Sequence, residues 1–313
     1  MSIKIPVGET IGQSFRFAFS RYLALLGVAW LPMIAMVAIM IFVFVPFLHT
    51  MIAFTQYQSQ HPGNADLQAM PIPNFGLVLL AELLMLYVYC WMGAGATKEA
   101  LGLRTGSKLF YLPGKDEFNI MITYVATFLI CYFSLIGVMI ALAIVGLIIG
   151  VAMGVSDYDP AKYGLLIVPV VLLMIAVVIG YFYALIRAMW LIQPLTIVEK
   201  KIDVFASWRL MKGNVLRAFV IIFVMALPII VLEIVVYGVA AGSIFVSLPP
   251  HPEAMKPQEV FALFSTMALR VLPAMGVLGI LVLPLFLGFM RAPSAYAYRA
   301  LVPPKPAAPS VTA

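Results

Sequence analysis

Six continuously apolar stretches, each long enough to cross a bilayer, are separated along the chain by short polar gaps. They cover residues 23–48, 74–96, 119–153, 164–196, 216–248 and 269–290. Hydrocarbon about 30 Å thick needs about 20 residues of helix. A transmembrane β-strand would instead alternate apolar and polar positions over about ten residues. The runs here do not alternate, so the pattern predicts six transmembrane helices. The third stretch carries no charge between Phe118 and Ser156. It is longer than a perpendicular helix requires, and is expected to tilt, protrude or break.

The gaps carry a second pattern. Ile11, Phe15, Phe19 and Tyr22 fall on one helical face, as do Val204, Trp208 and Met211. Both segments mix aromatic and basic residues, which predicts amphipathic helices lying in the membrane interface. Gly213-Asn214 suits a helix stop followed by an N-cap for the fifth span. Ser20 is placed to cap the first span and Asp116 the third, after a turn at Pro113-Gly114. Ser14-Phe-Arg-Phe17 precedes span one and Ser207-Trp-Arg-Leu210 precedes span five, and both spans contain a proline, Pro32 and Pro228. Two readings follow. The chain is three tandem units, each an interfacial helix plus a helical hairpin, or the similarity only reflects what any interfacial helix needs.

Charge sets the expected orientation. Of 19 Lys and Arg residues, 15 lie in the N-terminal segment, gaps 97–118 and 197–217, and the C-terminal segment. Gap 49–73 has none. Positive residues mark cytoplasmic loops, so both termini are expected in the cytoplasm, which an even number of spans allows. The net charge of +6 is thereby explained without nucleic acid. It fits topology and attraction to anionic lipid.

Composition agrees with a lipid-facing surface. The chain is 64% hydrophobic and 10% charged, with mean hydropathy +1.08, against about 25% charged residues in a soluble domain. Cys90 and Cys131 fall inside spans, so no disulfide framework is implied. The first span is too long for a cleaved signal peptide. Residues 1–301 read as a single six-span domain, and 302–313 as a disordered Pro/Ala tail.

Pro194-Leu-Thr-Ile-Val-Glu199, then Ala206-Ser-Trp-Arg-Leu-Met-Lys-Gly-Asn214, resembles a pattern of a bacterial inner-membrane group of unknown function. That group is similar to the membrane domain fused to some glycerophosphodiester phosphodiesterases. The N-terminal Ile11…Tyr22 segment and Tyr298-Arg-Ala-Leu301 are similar too. The resemblance implies a multi-pass protein of the bacterial inner membrane. It carries no catalytic residues onto this chain, and the phosphodiesterase barrel is absent.

Four ionisable residues lie within or at the edge of spans: Glu82, Arg187, Glu233 and Arg270. Charge at membrane depth costs roughly 3 kcal/mol or more and usually faces the bundle interior. Measured along the helices, Glu82 and Arg187 fall at about 22 and about 16 Å, and Glu233 and Arg270 at about 24 and about 31 Å, so each pair is within reach if the helices adjoin. They read either as interhelical ion pairs or as a polar cavity for a charged headgroup or ion. Gly146, Gly150 and Gly154 line one face of span three and predict close helix packing. Seven prolines lie in or at the ends of spans, which suits kinked structural helices or the broken helices of transporters. His49, His61 and His251 lie in outer loops without metal-ligand spacing, so neither metal nor cofactor is expected. No nucleophile–base motif or phosphate-binding loop occurs, so no catalytic residue is assigned.

The sequence predicts an all-α polytopic membrane protein. The leading expectation is a non-catalytic module that organises lipids or a membrane-protein partner. The alternative is a transporter or channel for a small or amphipathic solute.

Overall fold

The protein is described by a computed structural model that covers residues 3–60, 74–107, 109–152, 160–247 and 257–302. Among these, six helical stretches are long and apolar enough to cross a membrane: Tyr22–Phe54, Phe75–Ala100, Lys115–Ile148, Val168–Glu199, Val215–Val235 and Gly279–Leu301. The all-α, multi-pass class read from the sequence is thus present.

The helices outrun the predicted spans. Helix α1 (Val7–Ser20) is followed by α2 (Tyr22–Ile39), a π-helical turn Met40–Phe44 and α3 (Val45–Gln60). These last three form one span that extends well into the segment expected to be an outer loop. Pro46 has no N–H for the Phe42 carbonyl, and the π turn lies where that bond is missing. Helix α4 (Phe75–Ala100) starts at Asn74, whose Oδ1 accepts from the Leu77 N–H at 3.0 Å. Helix α5 (Lys115–Ala152) runs 38 residues unbroken, so of the options for the long third stretch the chain does not break.

Helix α6 (Pro160–Met189) does break, before α7 (Ile192–Glu199). The ring of Pro194 cannot follow the Trp190 carbonyl in a regular helix. Ser207 of the short α8 (Ala206–Leu210) stitches the break. Its hydroxyl donates to the Arg187 carbonyl at 3.0 Å and accepts from the Leu191 N–H at 3.3 Å. Gly213, at φ 78°, turns the chain into α9 (Val215–Ser247), and α10 (Pro257–Leu301) completes the fold. Consecutive long helices α2–α4, α5–α6 and α9–α10 pack as three hairpins. Their leading segments are not equivalent: α1 has 14 residues, α8 has five, and among the described residues of 101–114 there is no helix.

The described residues begin and end at one end of the helices, where α1 packs on the C-terminal half of α10. Phe15 and Phe19 meet Phe289 at 5.2 and 5.8 Å between ring centroids, and Phe17 meets Tyr296 at 6.2 Å. The face of α1 that sinks deepest differs from the aromatic one expected. It comprises Thr10, Ser14, Phe17 and Ala18. The Thr10 and Ser14 hydroxyls donate to the carbonyls of Pro6 and Thr10, so they enter the interior with their hydrogen bonds made. One expected cap is corrected: Ser20 makes no cap bond to α2. Asn214 does stand at the start of α9, where its carbonyl accepts from the Ala218 N–H at 2.9 Å. Its side chain clasps the N-terminal segment, with Oδ1 accepting from the Ile5 N–H at 3.0 Å and Nδ2 donating to the Ile3 carbonyl at 2.9 Å.

Almost all close packing gathers at this terminal end. The cores join residues of α1, α2, α4, α7 and α9 around Leu287–Leu301 of α10. The most apolar stretches of α5 and α6 contain no buried residue. Their outward surface is the one lipid covers.

The glycines follow the same division. A Cβ on Gly288 would sit 2.7 and 2.8 Å from Cβ and Cα of Ala18, whereas a Cβ on Gly146 would meet nothing within 4 Å. Among the described residues nothing packs against Gly146. The surroundings of Gly150 and all of Gly154 lie outside the described residues. Gly288→Ala should lower stability by about 1–3 kcal/mol through forced separation of α1 and α10. Gly146→Ala should stay within about 0.5 kcal/mol of wild type. Thermal unfolding in detergent measures both, and equal losses would contradict the packing described.

Candidate functional site

The four charges singled out in the spans do not converge. Glu82 and Glu233 are exposed on the outer surfaces of α4 and α9, and make no ion pair among the described residues. Arg187 does not meet Glu82. Its Nε donates to the Trp208 carbonyl at 3.0 Å, and its guanidinium lies 4.2 Å from the centroid of the Trp208 ring. An indole face and a carbonyl replace the expected carboxylate. The side chain of Arg270 lies outside the described residues.

The ionic contacts sit instead at the terminal end, on residues the sequence presented only as helix-end charges. Glu117 is 0% exposed. Its Oε1 meets Lys98 Nζ at 3.1 Å and accepts from the Tyr111 hydroxyl, and its Oε2 accepts from the Gly114 N–H at 2.5 Å. Lys98 also donates to Tyr111 Oη at 2.7 Å and pairs with Asp116 at 2.8 Å, which Lys200 pairs at 2.5 Å. The Tyr111 carbonyl accepts from Trp91 Nε1 at 2.9 Å. Burial, with the Glu117 carboxylate beside it, pushes the Tyr111 phenol well up, so it remains a donor. Two cations and two anions thus pin the 101–114 loop to α4 and α5, with Lys200 adding the end of α7. Asp116, expected as a cap, serves here as an ion-pair partner.

Beside this cluster Thr97 Oγ1 donates to Gln193 Oε1 at 3.1 Å. A Cβ at Gly93 would lie 2.3 Å from Gln193 Nε2, so the glycine makes the space for this buried amide.

Among the described residues cavities open in the helical layer, two of which bear on a site. The larger, about 450 Å³, lies between α5 and α6 and is closed by Phe205 and Trp208 at the terminal end. Its walls are almost wholly apolar, among them Ile130, Val177 and Ala184. Thr127 also lines it, and its buried hydroxyl has no hydrogen-bond partner. The smaller, about 250 Å³, lies where α6, α9 and α10 meet, and includes Tyr124 and Arg291. Neither cavity contains Glu82, Arg187 or Glu233. The described residues contain no cluster of His, Cys, Asp or Glu that could hold a metal ion.

Sequence reasoning placed Arg291 in the basic C-terminal segment and missed that it is buried. One signal was present. Gly288, Ala292, Ser294, Ala295 and Ala297 surround it with small residues, a composition that suits close approach of helices.

No family model, curated protein or solved structure matches the chain.

Two variants test the arrangement of charge. Lys98→Met leaves Glu117 buried without its cation and should cost about 3–5 kcal/mol, whereas Lys98→Met with Glu117→Gln should recover most of that loss. Denaturant titration reads both, and a double variant as unstable as Lys98→Met would remove the ionic account. Glu82→Leu and Arg187→Leu should be additive to within about 0.5 kcal/mol, because the two residues share no contact. A larger coupling in the double-mutant cycle would restore their pairing.

Proposed function

We propose that this integral membrane protein is a non-catalytic module that takes lipid into its own fold and so organises the lipids or partner proteins around it. The observation that carries this reading is the cavity between α5 and α6. It lies among helix surfaces that face hydrocarbon, its walls are apolar, and its volume is of the size that binds small ligands, about 300–1,000 Å³. A lipid acyl chain can enter from the side without leaving hydrocarbon. Trp208, stacked against Arg187, closes the end where headgroups lie, as aromatic and basic residues do at membrane interfaces.

The membrane of residence proposed is the bacterial inner membrane, with the termini in the cytoplasm. Support comes from the positive charge at the terminal end and the resemblance of residues 194–214. A cavity lined by Glu82, Arg187 and Glu233 would favour transport, and neither cavity is lined by them.

Gly180 lines the cavity and has open space where a side chain would begin. Gly180→Trp and Ala184→Trp should therefore fill it while leaving the terminal-end core intact. Native mass spectrometry from mild detergent should show a lipid retained by the wild type, with occupancy reduced about tenfold or more in both variants. A wild type that carries no lipid, or variants that retain it fully, would overturn the reading.

A further inference from the structure

The loop between α4 and α5 carries large apolar side chains on its outside. Leu103, Leu109, Phe110 and Leu112 are 48, 78, 42 and 62% exposed. Apolar groups presented together on so short a loop mark a surface that meets something other than water. They are not loosely held. Tyr111, between Phe110 and Leu112, is buried with Val28 of α2 and Trp91 of α4. A Cβ on Gly95 of α4 would lie 2.8 Å from the Tyr111 ring and 2.6 Å from Val28, so the ring is wedged between the two helices. Its hydroxyl is fixed by Lys98 and Glu117. Pro113 favours extended backbone at Leu112. Successive side chains of an extended segment point to opposite sides, so burial of Tyr111 turns Phe110 and Leu112 outward.

The level of the loop follows from its contacts with α2. Arg104 Nη1 donates to the Ala24 carbonyl at 2.9 Å, and Trp30 Nε1 donates to the Leu109 carbonyl at 2.6 Å. Between these contacts the loop moves six residues along α2 toward the middle of the span, about 9 Å at the helical rise. Trp91 Nε1 donates to the Tyr111 carbonyl at 2.9 Å. Indole rings settle at membrane interfaces with the N–H on a polar partner. Here both indoles cap carbonyls of irregular backbone, which hydrocarbon would not solvate. The Leu109 N–H is likewise taken, donating to Ser107 Oγ at 3.1 Å.

The surroundings select the partner. Trp30 is itself exposed, as are Leu23, Ile34 and Val37 along α2, so the loop surface continues a face that lipid covers. Residues 103–115 include Arg104, Lys108 and Lys115 and no acid, a charge that suits anionic headgroups.

The geometry points to a membrane-inserted loop: Leu109, Phe110 and Leu112 enter the bilayer leaflet at the terminal end, with Tyr111 as the anchor that aims them. The segment joining α4 to α5 is then a lipid-binding surface rather than a solvated connection. The ionic cluster of Lys98, Glu117 and Tyr111 gains a purpose, which is to hold that surface at fixed depth. This goes beyond the cavity between α5 and α6 and does not rest on it.

The test places single spin labels through Leu109→Cys, Phe110→Cys and Leu112→Cys, in the full chain without Cys90 and Cys131, reconstituted in phosphatidylethanolamine–phosphatidylglycerol vesicles. Collisions with oxygen are compared with those of a water-soluble nickel chelate, with a label at Ile34 as the lipid-facing reference. Relative to free label, oxygen should exceed the chelate at least about threefold at all three positions, because side chains at the headgroup–acyl boundary meet the apolar collider preferentially. Chelate collisions as frequent as those of oxygen would place the loop in water and overturn the proposal. Suppression of both colliders would show a protein partner or a second copy on the loop, and would overturn it equally. Should a variant fail to fold, the wild type decides: a phospholipid with a photoactivatable carbene on its acyl chain should label residues within 103–112, and no label there would defeat the insertion.

Discussion

Lipid tails are as apolar as leucine, so burial of hydrocarbon does not by itself draw transmembrane helices together. What holds this bundle is the set of contacts that lipid cannot replace, and these occur at the end where α1 meets the C-terminal half of α10. There Lys98, Tyr111, Asp116, Glu117 and Lys200 exchange charge and hydrogen bonds across α4, α5, α7 and the intervening loop. Gly288 lets α10 lie against Ala18 of α1, and Gly93 makes space for Gln193. Asn214 and Arg217 hold the N-terminal segment, with Arg217 donating to the Ile5 carbonyl at 2.8 Å. Removing a partner there leaves a buried polar group unpaired. Removing an exposed side chain of α5 or α6 leaves lipid where lipid already was.

Much of the architecture was legible because it depends on summed properties. Six apolar runs, their separation by short gaps and the absence of alternation suffice for six helices. The clustering of Lys and Arg in alternate gaps matches the terminal end where the ion pairs lie. Gly213 was also readable, since its positive φ is a local backbone requirement. Pro194 was visible as a helix-breaking residue, but its consequence depends on Ser207, 13 residues onward, supplying the bonds that the break frees.

The site was less legible, for a specific reason. Depth along a helix can be counted in a sequence, but rotation about its axis cannot be fixed when every face is apolar. Glu82 and Arg187 fall at similar depth and do not meet, because α4 presents Glu82 outward and Arg187 turns to Trp208. Arg291 was counted among the basic residues of the C-terminal segment because it follows the last apolar run. Only the packing of α1 and α9 against α10 shows that this segment is interior. A charge near a span boundary can thus be more deeply enclosed by protein than one in the middle of a span.

The central claim is that protein packs against protein at the terminal end and against lipid along the rest of α5 and α6. Oxygen accessibility of single spin labels tests it most directly, scanned along α5 from Ile120 to Ile148 in a bilayer, in a background without Cys90 and Cys131. Labels from Ile120 to Thr127 should rise and fall with the helical period of 3.6 residues, because Ile120, Thr123 and Thr127 are buried. Labels from Phe128 to Ile148 should be accessible on every face, with only a shallow dip on the side of Cys131, Leu135 and Leu142, which are half-buried toward α6. An oscillation as deep as that of Ile120–Thr127 continuing through Ile148 would contradict the account and show that a further protein surface covers α5.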